Sequence, residues 1–200
     1  LAGVGLIVFV ANAALLVLQL TASRLLAPFV GSSLETWTSI IGVFLTGIAL
    51  GNGWGGRVAD RFPQPRTLML VLLISAVTAI WMAVLPLLLQ LSGLYKAIPL
   101  GPRIPLLAVL LCLPAGFTLS LLTPLAIKLG LPDVSKTGRV AGLIFALSTL
   151  GCLLGNYLTG FYLMRWFTIT TLVLMSAASL LVLAGWVGLA MRRNPSTMEA

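Results

Sequence analysis

The sequence has no histidine and only four acidic residues in 200: Glu35, Asp60, Asp133 and Glu199. Without histidine there is no histidine-ligated haem, no histidine zinc site and no histidine general base. The shortage of acids bears on transport, because ion-coupled carriers usually hold a carboxylate at membrane depth. These four fall at the ends of apolar runs, in connections or in the tail. Cys112 and Cys152 sit in separate apolar runs, where a thiol acts as a small buried hydrophobe. They make neither a metal motif nor a disulfide framework. Charged residues are 8% of the chain and hydrophobic ones 60%, whereas a soluble domain is roughly 25% charged. Lipid is the expected solvent for most of this chain.

What is present is a series of apolar runs of about twenty residues, the length that crosses a hydrocarbon core about 30 Å thick. Six are expected, at about 1–22, 35–56, 67–91, 104–127, 140–164 and 168–191, before a short tail at 194–200. The expected fold class is all-α, an integral membrane bundle of six transmembrane helices. The first run is too long for a secretory h-region and has no basic n-region, so it reads as a span. Residues Ser23 to Leu34, with Arg24, Pro28 and Gly31, read as an interfacial connection. Ser32 and Glu35 have the spacing of a capping box opening the second helix, with a Glu35–Arg24 pair as a variant. In the fourth run Pro105 suits a first turn, while Pro114 must free a backbone carbonyl and is expected to kink the helix.

The net charge of +8 suggests nucleic acid until the basic residues are located. They occur singly or in threes between apolar runs, too sparse to track a phosphate backbone, so they read as topology signals. Arg57, Arg61, Arg66, Lys128, Lys136, Arg139, Arg192 and Arg193 fall on one side, and Arg24, Lys96, Arg103 and Arg165 on the other. Eight against four places both termini in the cytoplasm by the positive-inside rule, in a cell or inner membrane. Trp37, Trp54, Trp166 and Trp186 lie near span ends, as indoles at headgroup level do, and Trp81 lies deeper, as a packing residue.

The connection GGRVADRFPQPR after the second run contains Gly56, Asp60, Arg61 and Arg66. These resemble the cytoplasmic loop motif of the major facilitator superfamily, although Pro63 and Gln64 stand where a second glycine and an arginine usually occur. The resemblance implies that the aspartate and basic residues hold neighbouring helix ends together in one transport state. A helix C-terminus with dipole-compensating arginines explains the same residues. A longer resemblance is carried by ASRLLAPFVGSSLETWTSIIGVFLTGIALGNGWGGRVADR, from Ala22 to Arg61, and TGRVAGLIFALSTLGCLLGNYLTGF, from Thr137 to Phe161. Both look like the membrane domain of the fused major facilitator/spermidine-synthase-like proteins. That family joins such a domain to a cytoplasmic aminopropyltransferase-like domain. No strand with a Gly-rich turn follows Met191, so the resemblance carries architecture and not aminopropyl transfer, and no enzyme activity is expected. The family commonly has a glutamate ahead of the RLLAP run, where this chain has Gln19. The implied architecture is one half of a major facilitator fold, in which spans two and five meet the other half.

Gly47, Gly51 and Gly55 recur every four residues on the second run, and Gly151, Gly155 and Thr159 on the fifth. Such spacing lines small residues along one face and makes a groove that another backbone can approach, within the bundle or between molecules. Gln19, Arg24, Glu35, Asn52 and Asn156 are the candidate polar site, and Asn12, Asn52 and Asn156 could each hydrogen-bond a neighbouring helix. Leu180, on the uniformly apolar sixth run, serves as a control position if it faces lipid. No cofactor, metal or nucleic acid is expected, and no substrate is named. The expected partners are the bilayer and either a second copy or other membrane subunits. A small-solute carrier completed by dimerisation, or a membrane partner of an aminopropyltransferase-like enzyme, are the alternatives.

Overall fold

A computed structural model describes residues 2–130 and 137–193; Lys136 and Asp133 in the connection, and the tail with Glu199, lie outside the described residues. Among the described residues every regular element is helical. They are α1 (Ala2–Val30), α2 (Leu34–Arg61), α3 (Pro65–Ser92), a 3-10 turn (Leu94–Ala97), α4 (Leu100–Ser120), α5 (Leu122–Gly130), α6 (Thr137–Tyr157), a π-helical segment (Leu158–Leu163), α7 (Met164–Trp166) and α8 (Ile169–Arg193). Six stretches are long and apolar enough to cross a membrane: Gly3–Val30, Leu34–Arg61, Pro65–Ser92, Leu100–Gly130, Thr137–Trp166 and Ile169–Arg192. The fourth joins α4 to α5, and the fifth runs from α6 through the π segment into α7.

The expected connection at Ser23 to Leu34 is mostly helix. α1 continues to Val30 because Leu26, Phe29 and Val30 extend its buried face. It stops at Gly31, whose φ of 78° lets the chain turn left-handed while its N–H still reaches the Ala27 carbonyl at 2.9 Å. The second helix is capped by Ser33 rather than Ser32. The Ser33 hydroxyl accepts from the Thr36 amide at 3.2 Å, and Thr36 Oγ1 donates to the Gly31 carbonyl at 3.1 Å. Glu35 is left exposed in the first turn, where the helix dipole favours a carboxylate, and makes no pair with Arg24.

Two prolines, Pro114 and Pro124, shape the fourth span. The helix runs unbroken through Pro114 and is interrupted at Leu121, three residues before Pro124. Pro124 has no N–H to give the Ser120 carbonyl, which accounts for the interruption there. Pro114 likewise leaves the Leu110 carbonyl without its helical donor. Trp81 of α3 supplies one: its indole Nε1–H donates to the Leu110 oxygen at 3.0 Å. Thr78, one turn earlier on α3, shares a 2.9 Å hydrogen bond with Thr118 of α4. An apolar medium offers no water to replace such a donor, so the indole is what satisfies the Leu110 carbonyl.

α1 packs chiefly on α6, α2 on α4, and α3 on α8. α1 and α4 occupy the middle. The α3–α8 pair packs on both of them, while α2 packs on α4 and α6 on α1. Exchanging the first three spans for the last three leaves this pairing unchanged, as in an inverted-topology repeat. The core runs along α1 through Ile7, Ala11, Leu15, Leu18, Ala22 and Leu26, all at most 3% exposed, and meets Leu107, Leu111, Ala115 and Leu119 of α4. At the end of the bundle near Arg24, Arg103 ties α1 to the start of α4. Its Nε and Nη2 donate to the Ile98 carbonyl and its Nη1 to the Phe29 carbonyl at 3.4 Å. The guanidinium lies 5.6 Å from the Tyr95 ring centroid, and Tyr95 packs edge-on against Phe29.

Candidate functional surface

The two small-residue grooves are filled from within the chain. A Cβ on Gly47 would lie 3.0 Å from the Phe117 backbone nitrogen, one on Gly51 would overlap the Phe117 carbonyl, and one on Gly55 would lie 3.0 Å from the Leu121 Cα. All three residues belong to the seam between α2 and the α4–α5 span. On α6, a Cβ at Gly151 would overlap the Phe9 carbonyl of α1, and one at Gly155 the Ala13 carbonyl. Thr159 is fully buried in the π segment, with its Oγ1 unpartnered among the described residues. Of the two uses left open for these grooves, the bundle shows the one within the chain: each is a seam that brings two backbones close.

The two seams are equivalent under the exchange of the first and last three spans, and the sequence repeats accordingly. Gly47, Leu50, Gly51, Asn52 and Gly56 have the same spacing as Gly151, Leu154, Gly155, Asn156 and Gly160. This internal repeat was the signal in the sequence for the pairing, since matched segments of an inverted repeat make matched contacts.

With the seams occupied, the outward faces of α2 and α6 become the informative ones. Thr38, Gly42, Thr46, Asn52 and Gly53 are exposed on α2, Gly142, Thr149 and Asn156 on α6, and Gly160 on the π segment that continues it. A side chain at Gly42, Gly53, Gly142 or Gly160 would meet nothing within 4 Å. Asn52 and Asn156 lie on these faces, exposed, and neither has a hydrogen-bond partner among the described residues. α2 and α6 also expose large apolar side chains, among them Ile41, Leu45, Leu50, Phe145, Leu150 and Leu153. Leu70, Leu73, Ile74, Val77 and Leu87 on α3, and Leu174, Leu181, Val182 and Leu189 on α8, suit contact with lipid tails.

The other candidate residues are scattered. Gln19 is half-buried on α1. Arg24 is exposed and lines a hollow of about 410 Å³ with Ser23, Ser32, Thr36 and Trp37. Asn12 donates to the Val8 carbonyl of its own helix at 2.9 Å, and the Cys152 thiol approaches its carbonyl at 3.7 Å. Gly56, Asp60 and Arg61 lie in the last turns of α2, and Arg66 in the first turn of α3. Asp60 pairs with Lys128 at the end of α5, 3.0 Å away, in the one ion pair among the described residues. The pair joins the ends of the second and fourth spans. Leu180, the intended lipid-facing control, is fully buried against the core. Comparison with protein-family models, with curated proteins and with solved structures gives no match.

Proposed function

We propose that this chain is a multi-pass membrane module that works by packing against a second copy of itself through the outward faces of α2 and α6. The observation that carries this reading is the unpartnered Asn52 and Asn156 on those faces, placed among exposed glycines and threonines. A carboxamide facing hydrocarbon is costly, and small residues beside it let a partner backbone approach and supply hydrogen bonds. The burial of the spans supports the same face. In their most apolar stretches the second and fifth spans are 28% and 22% buried, against 61% for the fourth. The stretches resembling fused major facilitator/spermidine-synthase-like membrane domains contain α2 and α6, the spans which that architecture directs toward a second six-helix half. The inverted-repeat pairing of the helices is also what such a half requires. Two copies would then form a twelve-helix unit.

A second reading, a carrier for a small uncharged solute completed by the same dimer, is favoured by the polar side chains of Asn12 and Gln19, both half-buried on the central helix α1. Flux into proteoliposomes separates carrier from scaffold.

The assembly is tested by cross-linking in bilayers and native mass spectrometry in mild detergent. The wild type should be a dimer. Gly53→Leu, and Asn52→Leu combined with Asn156→Leu, should give folded monomers, because none of these changes enters a seam. A wild type that is monomeric in bilayers, or a dimer that withstands both variants, would overturn the proposal.

A further inference from the structure

The hollow beside Arg24 lies at the end of the bundle opposite Arg139, where the last turns of α1, the start of α2 and Ile169, the first residue of α8, come together. Two of the hydroxyls that line it are already spent as donors. Ser23 Oγ bonds the Leu20 carbonyl at 3.0 Å, and Thr36 Oγ1 bonds the Gly31 carbonyl at 3.1 Å. The Arg24 guanidinium, the Ser32 hydroxyl and the Trp37 indole N–H donate to nothing among the described residues. Three free donors, one from α1, one from the turn before α2 and one from α2 itself, therefore line a single cavity of about 410 Å³.

The charge there is one-sided as well, and all of it belongs to described residues, because every connection at this end of the bundle does. The charged residues are Arg24, Glu35, Lys96, Arg103 and Arg165. Glu35 does not line the hollow and forms no ion pair, and Arg103 is engaged by the Ile98 and Phe29 carbonyls. Arg24 is the one charged side chain that lines the hollow. A planar guanidinium grips an oxyanion through two N–H groups, and further donors on separate segments call for further acceptor oxygens pointing in other directions. A tetrahedral phosphate supplies them. We infer that this hollow binds a phosphate group, held by Arg24 together with Ser32 and Trp37, the group belonging to a lipid headgroup or to a soluble phosphate. The site is built within one copy of the chain and does not depend on the proposed dimer.

The test uses the full chain in maltoside detergent, stripped of phospholipid and titrated by calorimetry with inorganic phosphate and, separately, with dihexanoyl phosphatidic acid. The wild type should bind at least one of the two saturably, at one per chain. Binding of phosphatidic acid alone assigns the site to a lipid headgroup, and equal affinity for inorganic phosphate assigns it to a soluble phosphate; either result supports the site. Arg24→Gln should weaken binding about ten-fold, the factor expected for loss of a charged hydrogen-bond partner, and Trp37→Phe, which keeps the ring and loses the donor, about five-fold. Arg165→Gln, at the same end of the bundle but outside the hollow, should leave the affinity unchanged. Arg24 and Arg165 are both exposed, so both variants should keep the wild-type protease resistance. Binding of neither probe by the wild type, an affinity unchanged in Arg24→Gln, or equal losses in Arg24→Gln and Arg165→Gln would overturn the site.

Discussion

At the scale of single residues, the most informative contact is the one between Trp81 and the Leu110 carbonyl. Pro114 removes the N–H that would have bonded that oxygen, and the indole replaces it across the helix interface. Trp81→Phe keeps the ring and loses the donor, so it should destabilise the protein by about 1–2 kcal/mol. In a Pro114→Ala background the alanine N–H serves the Leu110 oxygen, and the same tryptophan change should cost less. Unfolding by denaturing detergent, run as a double-mutant cycle, checks this. Equal cost in both backgrounds would mean that the indole acts only by packing. Reading Trp81 as a packing residue missed its hydrogen bond because the partner lies 29 residues away on another helix.

At the scale of elements, the glycine seams decide how the spans are arranged. α2 and α6 each bring glycines against the backbone of a central helix, so a larger side chain has to displace a helix rather than another side chain. Gly51→Leu and Gly155→Leu should each destabilise the monomer by more than about 3 kcal/mol, at or beyond the upper range of overpacking costs. Both should appear as lost expression or protease sensitivity in membranes. Gly53→Leu, two residues from Gly51 but outward-facing, should leave the monomer fold intact. Val182→Phe replaces Leu180→Phe as the lipid-facing control, since Val182 is 70% exposed and Leu180 is buried. If Gly51→Leu and Gly53→Leu had the same effect on protease resistance, the assignment of the two faces would be wrong.

At the scale of the whole molecule, alternate connections place Lys96 and Arg139 at opposite ends of the bundle, and the excess of basic residues around Arg139 predicts that its end faces the cytoplasm. With Cys112 and Cys152 replaced by alanine, a cysteine introduced at 96 should react with an impermeant thiol reagent in intact cells. One introduced at 139 should react only after permeabilisation, and the reverse pattern would invert the orientation. The sequence by itself determined that there are six spans and roughly where they lie, because length, apolar runs and the basic residues between them are local properties. It also determined which residues share a face, since helical periodicity puts Gly47, Gly51 and Gly55 in line whatever they touch. Only the tertiary structure decided that α4 covers that line and α1 covers the one on α6, leaving Asn52 and Asn156 on the outside. The physical reason is that lipid rewards any close fit between helices. A small-residue stripe therefore specifies a close contact without specifying its partner, and the partner is settled by the joint packing of all six helices.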